Sequence, residues 1–419
     1  MDILIKKALI LDPSGRFDAE RKDILVSKGV IKRIAKTIPQ GNKIVIESGN
    51  LHCSIGWCDI GTHLGEPGYE HRETTQSLSE AASRGGYTAL APFPNTLPVV
   101  QSASDVKYVK SLFSNRIQDV HPIASISKDL KGTDLTEMKD LIQHGAVGFS
   151  DGLKGIQSSG LLLRALQYTK GEGVPIIDHA IDSSLADGGQ MHEGGMSISL
   201  GMKGIPAIAE VIQVQRNCKL LKYANASLIA HAISSKKSLD YINEGIKKKL
   251  NISATVPYLN LVADHEMVED FDSNYKVTPP LRLPSDSRDL FNALTKGKIS
   301  AIISNHVPLE SERKMLEFPY ATPGAIGLET VFAALITRYG KVHLDSIVEA
   351  LSYGPRSILN INIPKIEIDQ RANITLFDPD IEWIFNETAS ISQNSPFLGN
   401  QFKGKVVGII NGSRYHISR

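Results

Sequence analysis

Residues 59–68 read Asp59-Ile60-Gly61-Thr62-His63-Leu64-Gly65-Glu66-Pro67-Gly68. An apolar run reaches this point and then breaks into glycines, one histidine and a proline. That is how a strand buried in a parallel sheet hands over to a loop. The histidine is the first polar group with useful chemistry beyond the strand.

The same punctuation recurs along the chain. Short apolar, β-branched runs end near Asp59, Phe93, Ser125, Ser150, Asp178, Ala230, Val256 and Ser304. Helical stretches alternate with them, at 74–83, 135–144, 159–170, 206–223 and 238–249. A last helix starts near Gly327 and includes 329–338. Strand, loop and helix repeated eight times predict a (β/α)8 TIM barrel over residues 53–364.

The two ends have a different texture. Strand-like pieces at 3–11, 23–26, 31–34 and 43–46 are separated by turns such as Asp12-Pro13-Ser14-Gly15 and Lys28-Gly29. The tail repeats this at 372–377, 404–410 and 414–417, with Asn411-Gly412 as a hairpin turn. The expectation is a small antiparallel β-sandwich domain built from residues 1–52 plus 365–419.

The bulk numbers exclude several classes. The 419 residues are 42% hydrophobic and 22% charged, ordinary for a globular chain. Lys and Arg number 46 against 45 Asp and Glu, for a formal net charge of +1. Nucleic acid and anionic membranes are therefore not expected partners. Three cysteines, Cys53, Cys58 and Cys218, lack paired spacing, and Cys53 and Cys58 read as small buried residues rather than metal ligands. The opening residues alternate like a strand, and no apolar run is long enough to span a bilayer, so the expected compartment is the cytoplasm.

Strand bookkeeping also places the polar residues. His63, Asn95, Asp151, His179, His231 and Asn305 each fall at or just after the C-terminal end of a different strand. Barrel enzymes assemble their sites on that face. A single histidine there is most often a surface or core-edge residue. Three histidines on one rim point to a present or former active site. His192 with Glu193 reads as a loop-fixing pair. Glu310-Ser311-Glu312-Arg313-Lys314, after the eighth strand, reads as a solvated helix start or a lid.

Longer stretches carry a resemblance. They include Glu66-Pro67-Gly68 with His71-Arg72-Glu73-Thr74, Pro94-Asn95-Thr96-Leu97-Pro98 and Gly145-Ala146-Val147-Gly148-Phe149-Ser150-Asp151. Further matches are Gly204-Ile205-Pro206, the segment from Tyr275 to Arg282, Asn305-His306-Val307-Pro308 and Gly327-Leu328-Glu329-Thr330. Together they make the chain resemble the dihydroorotases of the amidohydrolase superfamily, of the long type found in multifunctional pyrimidine enzymes. The resemblance runs nearly end to end. It implies the same barrel and sandwich, and metal-dependent hydrolysis or closure of the cyclic amide of dihydroorotate. Family members need a Lewis acid, a carboxylate base and a cation for the substrate carboxylate.

Carried over residue by residue, the resemblance implies gaps. His63, His179 and His231 match three metal ligands. Gly61 stands in place of the first-strand histidine, and Asn305 in place of the eighth-strand aspartate that also acts as general base. At the fourth strand the ligand position is Gly152 without a gap, or Asp151 with a one-residue shift. On the substrate side Asn95 remains, Gly65 replaces the clamping arginine and Thr278 replaces an asparagine. Lys154 lies near, but off, the position where hydantoinase-type relatives carry a bridging lysine.

Two expectations follow. One is a catalytically impaired or inactive dihydroorotase-like pseudoenzyme, metal-free or with at most one zinc ion, and with a structural role. Its partner would be aspartate transcarbamoylase or another pyrimidine-pathway protein, since inactive relatives scaffold that enzyme. The other is an active single-metal cyclic amidohydrolase using His63, His179 and His231, with at most one zinc ion. A homo-oligomer is expected in either case.

Overall fold

A computed structural model describes residues 2–418. Eight parallel segments close around a packed interior in the order of the chain. They are Trp57–Ile60, Tyr87–Ala91, the pair Asp119–Val120 and Ile123–Ala124, Gly148–Phe149, Ile176–His179, Ser227–His231, Asn251–Pro257 and Ala301–Ile303. The third is interrupted at His121-Pro122, and its two halves pair with the second and fourth strands. Each strand ends within two residues of the expected position. Helices pack between them, among them Thr75–Arg84, Ser159–Thr169, Ile208–Ala224 and Lys236–Lys247. The first is capped by Thr74, whose hydroxyl accepts from the Ser77 N–H. The barrel interior is filled by Ile60, Ala91, Phe93, Ile177, Ile229 and Ile303. It is a core rather than a pore.

The seam between the eighth and first strands is made by one side chain. Asp59 Oδ1 accepts the Ser304 backbone N–H at 2.7 Å, and Oδ2 accepts the Ser304 hydroxyl at 2.7 Å and the Thr62 hydroxyl. Asp59 is wholly buried, and burial pushes its pKa up against the pull of these donors. Beyond the seam, His63 N–H donates to His306 O at 3.1 Å.

Both termini build one eight-stranded sheet. Its path runs through Arg414–Ile417, Gln401–Asn411, Asn373–Ile384, His52–Ile55, Asp2–Leu11, Arg21–Ser27 and Val30–Ala35. The architecture is thus a TIM barrel plus a β-sandwich domain from the termini. The expectation of a purely antiparallel sheet is corrected. Ile44–Ile46 and His52–Ile55 both run parallel to Asp2–Leu11, because the chain returns beside its first strand before entering the barrel. The strand His52–Ile55 straddles the border expected at residues 52/53, and the chain crosses between units at Gly56. There Gly56 N–H donates to Asn373 O at 3.0 Å and Trp57 N–H to Thr375 Oγ1 at 3.1 Å. The Trp57 ring packs against Tyr87, Phe332 and Phe377. Cys53 and Cys58 are buried, and all three cysteines are free. Among the described residues no helix is long and apolar enough to cross a membrane.

Removing the Asp59 carboxylate leaves the Ser304 N–H and two hydroxyls buried without acceptors. Asp59→Ala is expected to lower unfolding stability by about 3 kcal/mol. Urea titration followed by far-UV circular dichroism measures this, and an unchanged midpoint would contradict the seam assignment.

Candidate functional site

The parallel register sets His179 beside His231 on adjacent strands. Both are almost completely buried. His63 approaches from the loop after the first strand. Burial is the main reason that the pKa values of His63 and His179 fall to about 4. His231 is pushed down further, by burial and then by its two imidazole neighbours. All three rings are therefore neutral at pH 7. His63 Nε2 and both nitrogens of His179 are shut off from solvent and have no hydrogen-bond partner. His231 Nδ1 lies 3.2 Å from the Thr255 hydroxyl.

Between these imidazoles stands Phe93. Its ring centroid is 4.9 Å from that of His231 and 6.0 Å from that of His63, edge-on to both. It fills the space that a side chain at position 61 would need. A Cβ built on Gly61 would lie 2.8 Å from Phe93 Cε2 and 2.9 Å from His231 Cε1, on a backbone at φ +87°. Nothing in the sequence marked Phe93 as part of the rim, because it reads as the apolar end of the second strand.

The other glycines are closed as well. A Cβ at Gly65 would land on the backbone carbonyl of Glu73. One at Gly152, where φ is +72°, would overlap the Asn95 carboxamide. Asn95 Oδ1 is itself buried and unpartnered. The Asp151 carboxylate is directed to the loop after the third strand. It accepts from Ile126 N–H at 2.9 Å, Ser127 N–H at 3.0 Å and the Ser127 hydroxyl. Asn305, at φ +48°, donates from Nδ2 to the Thr278 carbonyl at 3.0 Å. An amide in that role has no basic lone pair to take a proton near neutral pH.

The structure thus brings His63, His179 and His231 toward one interior, sets the Asn95 side chain against Gly152 and joins Asn305 to Thr278. It leaves Asp151 outside this group. Among the described residues no three His, Cys, Asp or Glu side chains are arranged to hold a metal ion. The orphaned imidazole nitrogens leave valence for a cation. The absence of a free carboxylate and the Phe93 ring do not fit a two-metal centre.

Two buried networks around the rim escaped the sequence reading. Gly327 N–H donates to His306 Nδ1 at 3.1 Å, which leaves Nε2 to face Glu73 at 3.3 Å. Glu73 also takes the hydroxyls of Ser77 and Ser390. On the far side Arg282 donates to the Ser234 hydroxyl, Ile205 O and His192 Nδ1, the last at 3.2 Å, with Glu210 at 3.8 Å. His192 therefore fixes its loop through Arg282. The charges after the eighth strand are not simply solvated. Glu310 grips Arg72 in a bidentate pair, and buried Lys314 donates to the carbonyls of Ser273, Thr322 and Gly324.

A barrel of eight parallel strands with a terminal β-sandwich and three imidazoles on its C-terminal rim defines an amidohydrolase-type protein. Solved structures agree on the fold. L-hydantoinase (dihydropyrimidinase) from Arthrobacter aurescens superposes with a TM-score of 0.86 at 22% identity, covering 100% of this chain and 97% of the other. A D-hydantoinase gives 0.83 at 20% identity, over 100% and 95%. Residues 53–238 match the dihydro-orotase-like family model. The dihydroorotase of Syntrophus aciditrophicus (strain SB) is 36% identical over 417 residues, 97% of each chain. That of Thermoanaerobacter sp. (strain X514) is 36% identical over 413 residues, 97% of this chain and 95% of the other. The chain belongs to the dihydroorotase family of the amidohydrolase superfamily, with a dihydroorotase-like role in pyrimidine metabolism.

Two predictions follow from this geometry. Gly65→Ala is expected to cost more than about 3 kcal/mol, because a backbone carbonyl rather than a flexible side chain must yield; chemical denaturation measures it. The second concerns pH. The His192 pKa falls from 6.5 to about 4, through burial and then the Arg282 charge. Between those values the unfolded chain binds a proton that the folded chain does not, so stability drops as pH falls from about 6.5 to 4. His192→Gln is expected to flatten the melting-temperature profile over that window, and an unchanged slope would refute the assignment.

Proposed function

We propose that this chain is a dihydroorotase-like pseudoenzyme, which keeps the family's barrel and binding surfaces without turning over dihydroorotate. The observation that carries this reading is the closed state of the rim. Positions 61, 65 and 152 are not vacant sockets awaiting a side chain. Position 65 is blocked by the Glu73 backbone and position 61 by the Phe93 and His231 rings, while position 152 holds a left-handed backbone beneath the Asn95 carboxamide. The base position holds an amide already donating to Thr278. Replacing a general base in this way costs on the order of 100- to 10,000-fold in rate, before the loss of metal ligands and of a guanidinium clamp is counted.

A retained barrel without turnover suits a structural role. The partner we propose is aspartate transcarbamoylase of the same pathway, with this chain as its scaffold, itself a homo-oligomer. Size-exclusion chromatography of the mixed proteins is expected to show co-elution.

A second reading has one observation in its favour. The unpartnered nitrogens of His63 and His179 support a site for one zinc ion, and with it a single-metal cyclic amidohydrolase. One experiment separates the two readings. The protein is purified with added zinc and its metal content measured. Dihydroorotase activity is then assayed in both directions. The pseudoenzyme reading expects substoichiometric metal and no turnover above the blank. Stoichiometric zinc that is lost in His179→Ala, together with ring opening, would overturn it in favour of the second. Restoring the family residues singly is expected to fail. Gly61→His requires Phe93→Ala in the same chain before it can be accommodated, which the melting temperatures of the single and double variants read out.

A further inference from the structure

A cavity of about 970 Å³ lies at the opposite end of the barrel from the histidines, between the starts of the third and fourth strands and the terminal sheet. Its walls carry five cationic side chains, Lys110, Arg356, Lys365, Arg371 and Arg414, against two acidic ones, Asp119 and Glu367. This concentration stands out in a chain whose formal net charge as a whole is only +1. One acid is already neutralised, since Asp119 pairs with Arg371 at 3.2 Å.

The second observation is at the wall itself. Arg356 is 3% exposed. Its guanidinium donates to neutral oxygens, namely Gly56 O at 3.1 and 3.3 Å, Asn362 O at 3.1 Å and Thr88 Oγ1 at 3.3 Å. Among the described residues no carboxylate forms an ion pair with it. Burial accordingly pushes its pKa down, against the pull of more distant Cys58 and Asp119. A buried cation without a counter-charge is costly, and an anion placed beside it offsets that cost. Nearer the solvent, Lys110 Nζ reaches only His144 O, at 3.2 Å, and Lys365 makes no bond among the described residues. Both ammonium groups retain free donors. Arg414 is held in place by Arg116 O and Ser114 O at 2.5 and 2.9 Å.

We propose that this cleft at the foot of the barrel binds a small phosphorylated molecule, with Lys110, Lys365 and Arg414 meeting the phosphate and the Arg356 charge supporting it from beneath. The size falls in the range of small-molecule sites, and ammonium and guanidinium donors together match phosphate oxygens through charge-assisted hydrogen bonds. The site is separate from the rim, and the inference does not depend on whether the rim is catalytic.

The test uses the full chain and isothermal titration calorimetry at low salt, with inorganic pyrophosphate as probe and citrate as a carboxylate comparator. Pyrophosphate is expected to bind one per chain, with an affinity that falls as salt rises. In a Lys110→Gln/Lys365→Gln double variant, binding is expected to weaken by about tenfold or more. Both substituted side chains are exposed, so the melting temperature of that variant should match wild type and report intact folding. An absence of binding to wild type would overturn the proposal. So would citrate binding as tightly as pyrophosphate, or pyrophosphate binding the folded double variant as tightly as wild type.

Discussion

The architecture depends on a carboxylate that water never reaches. A parallel barrel must close its last strand onto its first, and here the Asp59 side chain takes the donors that backbone pairing leaves over. It accepts the Ser304 N–H and hydroxyl on one side and the Thr62 hydroxyl on the other. Three hydrogen bonds to its oxygens offset part of the cost of burying that carboxylate, and burial still pushes its pKa up. The same anchor sets the geometry of the rim. Thr62 precedes His63 and Ser304 precedes Asn305, so the position of two candidate residues follows from the seam.

Around that anchor the rim is a filled core. The family resemblance read from the sequence places Gly61, Gly65 and Gly152 at positions where working side chains are expected. A deleted side chain normally leaves a cavity, and the cavity is costly. Here the space is taken. Phe93 enters from the second strand, Asn95 leans over Gly152, and the Glu73 backbone closes on Gly65. The buried ion and hydrogen-bond networks of Glu73 with His306 and Arg282 with Glu210 hold the surrounding loops at fixed distance. What persists is packing and buried polar pairing, the part of the structure that stability requires.

The sequence made the barrel legible because period and punctuation are local properties. Apolar runs ending in polar loops placed eight strands to within two residues. They also placed His63, His179 and His231 at strand ends. The parallel course of His52–Ile55 was not legible, since pairing partners are chosen by the return path of the chain rather than by composition. Nor was Phe93, whose role depends on a glycine 32 positions earlier in the chain. His306 and Glu73 are separated by 233 residues and meet only in the folded state. Asp151 looked available as a ligand because a one-residue shift of alignment costs nothing on paper. In the structure that residue satisfies two backbone amides, a demand that no motif records.

Phe93 and any side chain at position 61 exclude one another, because a Cβ there would come within 2.8 Å of the ring. The two positions are therefore coupled, and substitutions at them cannot be additive. A phenylalanine at 93 facing a histidine at 61 would be overpacked, and a glycine at 61 without the ring would leave a void beside two buried imidazoles. Phe93 also packs in the barrel core with Ile177 and Ile229, so its ring contributes beyond its contact with position 61. A side chain at position 61 therefore calls for a matching change at position 93, and either change made alone is expected to be less stable than the two together.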